Sequence, residues 1–198
     1  RTANQAEGDY PKQGAYRKES FSGEAKMWAQ GLGIWNSRPG VPGWGKASIG
    51  GSWTGIGANV KRCTIYTSTF TGTVSKLTAY LDGNGTGTGN QVMKAVIYTA
   101  PLGTPDALIS TSAEVTVVKG SPAAWRDFPF SSPPSVTSGT LYCLGIHSGS
   151  ANQSARYAHD TAADSLKWNS GDTYSDGPAS PFGTPTIGSK DMSIYASP

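Results

Sequence analysis

Charged side chains are scarce in this chain. They make up 15% of its 198 residues, against about a quarter in typical globular proteins, and this scarcity excludes a long solvated helix bundle or coiled coil. The chain also lacks a run of about eighteen apolar residues, so no membrane insertion is expected. Glycine and proline are abundant, at 26 and 13 residues, without a collagen-like period. What remains is a turn-rich chain with many Ser and Thr, which is typical of all-β proteins.

Histidine and catalytic motifs are scarce as well. The chain has two histidines, His147 and His159, and contains no HExxH, GxSxG or Walker-type glycine loop. Ser148 follows His147, but neighbouring residues of a strand point to opposite faces, so the two do not form a nucleophile–base pair. The sequence therefore predicts a non-catalytic protein that requires no cofactor. An enzyme acting on polysaccharides is the less favoured hypothesis.

The charges are unevenly distributed. Residues 1–62 carry nine Lys/Arg against four acids, a net charge of +5, and residues 63–198 carry seven against nine, a net charge of −2. A basic half suggests nucleic-acid binding, but no short window holds the five or more basic residues of a binding tract. No nucleic-acid partner is therefore expected. A basic segment that lies against an acidic neighbour fits the pattern at least as well.

The first 57 residues differ from the rest of the chain. They contain twelve Gly and three Pro, with almost no alternation of apolar and polar residues. They also contain four of the six Trp, and aromatic residues are rare in disordered segments. We therefore predict an extended arm over residues 1–57, ordered by packing either on its own sandwich or on a partner. In the second case Trp28, Trp35 and Trp44 would contact other subunits of a larger assembly.

From about residue 58, apolar and polar residues alternate. This pattern predicts strands rich in Val, Ile, Thr and Tyr over residues 60–67, 73–81, 91–99, 112–118, 124–130 and 140–147. Turn sequences containing Gly, Pro, Asn and Asp separate these strands. The sequence therefore predicts an all-β fold, an antiparallel β-sandwich over residues 58–198 that is jelly-roll-like.

The turn at residues 82–87 has two interpretations. Asp82 and Asn84 place two oxygen-bearing side chains at i and i+2 in a glycine-rich loop. Ca2+ prefers clusters of such oxygens, although this loop lacks the distal Glu of an EF-hand. A bound Ca2+ ion is one prediction for this turn, and a plain hairpin turn is the other.

The two cysteines, Cys63 and Cys143, both fall within predicted strands. They can form one disulfide or remain two buried thiols. Because a sandwich brings distant strands side by side, their separation in sequence is no obstacle to a bond. A disulfide would indicate that the protein works in an oxidising environment, or forms the bond after release from the cell.

The late loops contain the residues that best fit a glycan site. Trp168, Tyr157 and Tyr174 could supply aromatic planes for the apolar face of a sugar, and further side chains could bind its hydroxyls. The polar candidates are Arg156, His147 and Asn169. The alternative interpretation is that these aromatic residues cap the core of the sandwich.

Segments throughout residues 50–198 resemble extracellular jelly-roll, carbohydrate-binding-like modules of actinobacteria and their phages. The resemblance rests on the runs GIGANVKR (55–62), LTAYLDGNG (77–85), AVIY (95–98), GTLYCLGIHSG (139–149), RYA (156–158), YSDGPASPFG (174–183) and MSIYA (192–196). The chain departs from the pattern at Cys143, where such modules are expected to have Trp. Residues 1–50 show no such resemblance.

The resemblance implies a carbohydrate-binding or surface-attachment domain of a phage tail or minor structural protein. We therefore expect a non-catalytic structural or attachment protein of a virion, located extracellularly or on the virion surface. Its expected partners are other subunits, bound through residues 1–57, and a cell-surface glycan. The alternative is the carbohydrate-binding module of a secreted polysaccharide-active enzyme.

Overall fold

The computed structural model describes residues 43–198, and the predicted subunit contacts Trp28 and Trp35 lie outside the described residues. Short strands joined by turns make up this part of the chain. In chain order they are β1 (Trp44–Gly45), β2 (Ser52–Gly55), β3 (Lys61–Thr67), β4 (Gly72–Thr73), β5 (Lys76–Asp82), β6 (Gln91–Thr99), β7 (Leu108–Thr111), β8 (Val115–Val117), β9 (Ala124–Pro129), β10 (Ser135–Val136), β11 (Leu141–Ser148), β12 (Arg156–Asp160), β13 (Leu166–Asn169), β14 (Thr186–Gly188), β15 (Asp191–Met192) and β16 (Ile194–Ser197). Single 3-10 turns follow β6 (Pro101–Gly103) and β13 (Tyr174–Asp176).

The strands form two sheets that pack face to face. The first sheet contains β1, β2, β5, β9, β12, β15 and β16, and the second contains β3, β6, β7, β8, β11, β13 and β14. Strands β4 and β10 form a separate two-stranded ribbon. Neighbouring strands are antiparallel, and successive strands mostly alternate between the two sheets, as in a jelly roll. The predicted all-β, jelly-roll-like sandwich is therefore confirmed.

The main core lies between the sheets and follows the alternation seen in the sequence. On β5, Leu77 and Leu81 are fully buried, and on β11 Leu144 and Ile146 meet them from the other sheet. Burying one such side chain stabilises the fold by about 1.5–3 kcal/mol. Tyr80 takes the opposite side of β5, because successive side chains of a strand alternate. The outer face of the first sheet therefore carries side chains that the core does not use.

A second, smaller core lies on the outer face of the second sheet, beneath residues 170–185, which we call the strap. Cys63 and Cys143 are bonded to each other in this core, with their Cα atoms 5.4 Å apart, so the structure shows the disulfide and not the alternative of two buried thiols. Phe182 of the strap is 1% exposed and meets Tyr98 edge-on, with the ring centroids 5.0 Å apart. The strap therefore shields this part of the second sheet from solvent.

Residues 43–57, which the sequence assigned to the arm, belong to the sandwich. Strand β1 pairs with β16, and β2 pairs with β12. The sandwich therefore begins no later than Trp44, and not at residue 58. Glycines interrupt the alternation of apolar and polar residues in this segment. They are required because backbones approach one another closely here. A Cβ atom on Gly50, for example, would lie 2.2 Å from the carbonyl carbon of His159.

Trp44 contacts the core of its own chain. Its side chain is 2% exposed, and its ring centroid lies 5.5 Å from that of Tyr142. We predicted Trp44 as a contact with another subunit, and the structure instead shows the other alternative, packing on its own sandwich. A side chain of this size buries about 150–250 Å2. Trp44 therefore stabilises the end of the first sheet.

Candidate functional site

The six side chains predicted to bind a glycan lie in three separate places. Trp168 and Tyr157 belong to the interior between the sheets: Trp168 packs half-buried against the main core, and Tyr157 is 1% exposed. The guanidinium of Arg62 lies 5.1 Å from the centroid of the Tyr157 ring. These two rings therefore serve the interior, which is the alternative that the sequence left open for them.

His147, Asn169 and Tyr174 lie around the strap. His147 is fully buried, with Nε2 3.0 Å from the carbonyl oxygen of Asp172 and its ring 5.2 Å from that of Tyr174. The Nδ2 atom of Asn169 donates a hydrogen bond to the carbonyl oxygen of Phe182 at 3.4 Å. The structure thus brings His147 and Tyr174 together, and their contacts fasten the strap to the second sheet.

A buried ion pair lies under the strap. Lys61 Nζ is 2.7 Å from Asp172 Oδ2, and Lys61 is 1% exposed. The same ammonium lies 4.8 Å from the ring centroid of Phe182. Burial lowers the pKa of His147, and the positive charges of Lys61 and Lys94 lower it further, against the opposing effect of Asp172. Protonation of His147 would therefore add a cation beside Lys61 in a desolvated place.

The predicted Ca2+ ligands lie in a turn whose carboxylate, that of Asp82, is paired with a cation from β12. Asp82 is 2% exposed, and its two oxygens accept hydrogen bonds from Arg156 Nε at 3.0 Å and Nη2 at 2.6 Å. The backbone N–H of Asn84 also donates to Asp82. Although burial opposes the effect, these hydrogen bonds lower the pKa of Asp82. Within residues 43–198, no group of three or more His, Cys, Asp and Glu side chains is placed to hold a metal ion.

Arg156, the sixth predicted glycan ligand, lies beside aromatic residues on the outer face of the first sheet. Trp53, Tyr80, Trp125 and Tyr195 contact one another in series, and we call them the aromatic row. The ring centroids are 5.8 Å apart for Trp53 and Tyr80, 5.1 Å for Tyr80 and Trp125, and 5.2 Å for Trp125 and Tyr195. Tyr195 is 2% exposed, and the other three are half-buried. The row therefore presents three partly open aromatic side chains on one face.

Strand register assembles the aromatic row. Tyr80 alternates with core-facing residues on β5 and pairs directly with Trp125 on β9. On the other side of β5, Tyr195 pairs with Thr78, and Trp53 lies on β2, which pairs with β12. Cross-strand aromatic pairs contribute about 0.2–1 kcal/mol each to the stability of a sheet. The row therefore crosses the strands and includes residues far apart in the sequence.

Two ion pairs flank the aromatic row. On one side is the pair of Arg156 with Asp82, and the Cζ atom of Arg156 lies 5.2 Å from the ring centroid of Trp53. On the other side, Lys76 Nζ is 2.7 Å from Asp127 Oδ2. The aromatic row and these pairs combine apolar surface with a few fixed polar groups, which is the usual composition of a ligand site.

Sequence reasoning missed the aromatic row although part of the signal was present. Tyr80 and Trp125 occupy outward positions of two predicted strands, and outward aromatic residues are the signal that could have identified the row. Trp53 was hidden in the glycine-rich stretch assigned to the arm. The missing information was the register that pairs Tyr80 with Trp125, because pairing between strands depends on the whole fold.

The remaining histidine, His159, lies inside the sandwich. It is 6% exposed, and its Nε2 is 2.9 Å from the hydroxyl oxygen of Thr54. Its Nδ1 is 3.3 Å from the backbone carbonyl oxygen of Asp160. The hydroxyl–imidazole contact joins β2 to β12 in the interior, so it contributes to the packing of the first sheet.

Comparisons with known proteins do not assign this chain to a family. Neither a scan against protein-family models nor a search of curated proteins gives a match to this chain. In the part of the chain that the structure describes, no helix has both the length and the hydropathy to cross a membrane.

Proposed function

We propose that this chain is a non-catalytic attachment protein that binds a glycan through the aromatic row, outside the cell or on the surface of a virion. The observation that carries the proposal is the group of three half-buried aromatic side chains flanked by two ion pairs. This site replaces the one predicted around Trp168, Tyr157 and Tyr174, and it keeps Arg156 from the predicted set.

The chemistry of the aromatic row suits a sugar. The C–H face of a pyranose is apolar and packs on an aromatic ring, while its hydroxyls need donors and acceptors at the edge of the ring. Trp53 and Tyr80 supply ring surface, and Arg156 is within 5.2 Å of the Trp53 ring centroid. The rings already contact one another, so little side-chain freedom is lost when a ligand binds.

The proposed location rests on two supports. The resemblance to modules of actinobacteria and their phages favours a surface role, and a disulfide between Cys63 and Cys143 is compatible with an oxidising environment. Residues 43–57 take part in the sandwich. We therefore assign the proposed attachment to other subunits to residues 1–42.

The glycan site is tested with the full chain on a glycan array, followed by titration of any bound glycan. Trp125→Ala and Tyr80→Ala are expected to weaken binding at least tenfold, because each removes stacking surface. Tyr174→Ala is the matched control, since Tyr174 is also half-buried but lies on the strap of the second sheet. Circular dichroism confirms that each variant is folded.

A glycan site on the aromatic row and a glycan site on the strap would give opposite results in this experiment. Loss of binding in Tyr174→Ala, with binding intact in Trp125→Ala, would move the glycan site to the strap. A wild-type chain that binds no glycan on the array would overturn the proposed function.

A further inference from the structure

The ion pair of Lys61 and Asp172 brings an amine and a carboxyl group into contact inside the protein. Lys61 lies on β3 and Asp172 lies on the strap, so the two residues are far apart in the sequence. Lys61 Nζ is 2.7 Å from Asp172 Oδ2, and the two side chains are 1% and 9% exposed. The two groups that can form an amide bond are therefore held together in a place that excludes most water.

The surroundings of this pair replace water with apolar groups. The ring centroids of Tyr98 and Phe182 lie 5.7 Å and 4.8 Å from Lys61 Nζ. These rings attract an ammonium, but they cannot solvate the carboxylate, and an ionised group out of water is costly. Moving one proton from Lys61 to Asp172 across their 2.7 Å contact leaves a neutral amine and a neutral carboxylic acid. A neutral lysine amine is a nucleophile.

The carboxyl group of Asp172 is fixed beside the amine by hydrogen bonds. The backbone N–H of Ala179 donates to Asp172 Oδ1 at 3.3 Å and to Oδ2 at 3.0 Å. The carbonyl oxygen of Ala179 accepts a hydrogen bond from the hydroxyl of Tyr98 at 2.9 Å, and His147 Nε2 is 3.0 Å from the carbonyl oxygen of Asp172. Two reactants held in contact react much faster than free ones. The Ala179 N–H is also placed to stabilise negative charge on a carboxyl oxygen during attack.

We propose that Lys61 and Asp172 condense to an amide bond that joins β3 to the strap. Nζ attacks Cγ of the protonated Asp172 carboxyl group, the bond from Cγ to Oδ2 breaks, and Oδ2 leaves as water. Two of the three ammonium protons leave with that water, and the third stays on the amide nitrogen. The reaction needs no oxidant, reductant or further reactant, and it does not depend on the proposed glycan binding.

The amide bond would keep the strap closed over the second core. Non-covalent contacts of a surface segment open and close by local unfolding, whereas an amide bond does not. The disulfide in the same core joins β3 to β11. Strand β3 would then be covalently tied both to its neighbouring strand and to the segment that covers it.

A peptide map of the full chain tests this proposal. The folded chain is incubated in neutral buffer, reduced, denatured and digested with trypsin. Without the bond, residues 47–61 and 168–190 are released as separate peptides. With it, cleavage after Lys61 is blocked, and we expect residues 47–62 joined to residues 168–190, lighter by one water than the two peptides together. Cyclisation at an Asp–Gly sequence also loses water but joins no peptides, so the joined peptide is the decisive product.

Lys61→Arg is the matched variant, because it keeps a cation beside Asp172 without the nucleophilic amine, and it should give no joined peptide. Circular dichroism checks that it is folded. Lys46 and Asp160 serve as the control within the wild-type chain: Lys46 Nζ is also 2.7 Å from Asp160 Oδ2, but the Asp160 side chain is 48% exposed, so cleavage after Lys46 should stay complete. A chain kept in urea throughout should also give no joined peptide.

Separate peptides from the incubated, folded wild-type chain would overturn the proposal, whatever the variant does. A joined peptide in Lys61→Arg, or equal cross-linking at the solvated pair of Lys46 and Asp160, would overturn it as well.

Discussion

Phe182→Ala tests whether the strap seals the second core. Deleting a buried phenylalanine ring costs about 3–5 kcal/mol, and Phe182 is 1% exposed. The deletion removes its edge contact with Tyr98 and its contact with the Lys61 ammonium, 4.8 Å from the ring centroid. A cation–ring contact contributes about 0.5–2 kcal/mol. We therefore expect the free energy of unfolding to fall by about 4 kcal/mol.

Urea unfolding followed by circular dichroism measures this loss. Ile187→Ala is the control, because Ile187 is 55% exposed and its truncation should change stability by less than about 0.5 kcal/mol. Phe182 belongs to the same buried cluster as the disulfide, so the variant should also be reduced faster by dithiothreitol. A loss below about 1.5 kcal/mol, with the rate of reduction unchanged, would refute the conclusion that Phe182 closes this core.

Three further predictions concern stability and assembly. Reduction of Cys63–Cys143, whose sequence separation is 80 residues, should lower the free energy of unfolding by about 4–5 kcal/mol on a chain-entropy estimate; an unchanged urea midpoint in the presence of reductant would contradict it. Stability should also decline as the pH falls below about 6.5, the pKa of an exposed histidine. Burial holds the pKa of folded His147 lower, so the unfolded chain binds the proton first. Urea midpoints from pH 8 to 5 should fall less steeply in His147→Gln, and equal slopes would count against this cause. Deletion of residues 1–42 should leave a folded sandwich by circular dichroism but abolish incorporation into a larger assembly; normal incorporation would exclude the attachment role.

The sequence predicted the fold where side chains alternate and failed where glycine replaces them. On β5 and β11 the alternation of apolar and polar residues identified both the strands and their core-facing sides. Strands β1 and β2 were not predicted, because the glycines around them, such as Gly50, leave no alternation of apolar and polar side chains. Close contacts between backbones require these glycines. The disulfide could be left only as an alternative, since it depends on β3 lying beside β11.

The site was harder to predict than the fold, because it depends on which strands become neighbours. Arg156 was predicted to bind a glycan from its residue type, but its partners Asp82 and Trp53 come from β5 and β2. Tyr157 was predicted to stack on a glycan, with packing on the core as the alternative; it follows Arg156 on β12, and alternation turns it inward. The local sequence shows which residue types are available for such a site, and strand pairing determines which of them lie next to one another.

The two outer faces of the sandwich differ in how far their aromatic side chains are buried. On the second sheet, the strap buries Phe182 and Tyr98 and holds them with an ion pair and several hydrogen bonds. On the first sheet, Trp53, Tyr80 and Trp125 keep part of their surface exposed. Exposed apolar groups stabilise the fold less than buried ones, so stability alone favours covering both faces. The proposed glycan ligand would cover the surface of the aromatic row that stays partly exposed among residues 43–198.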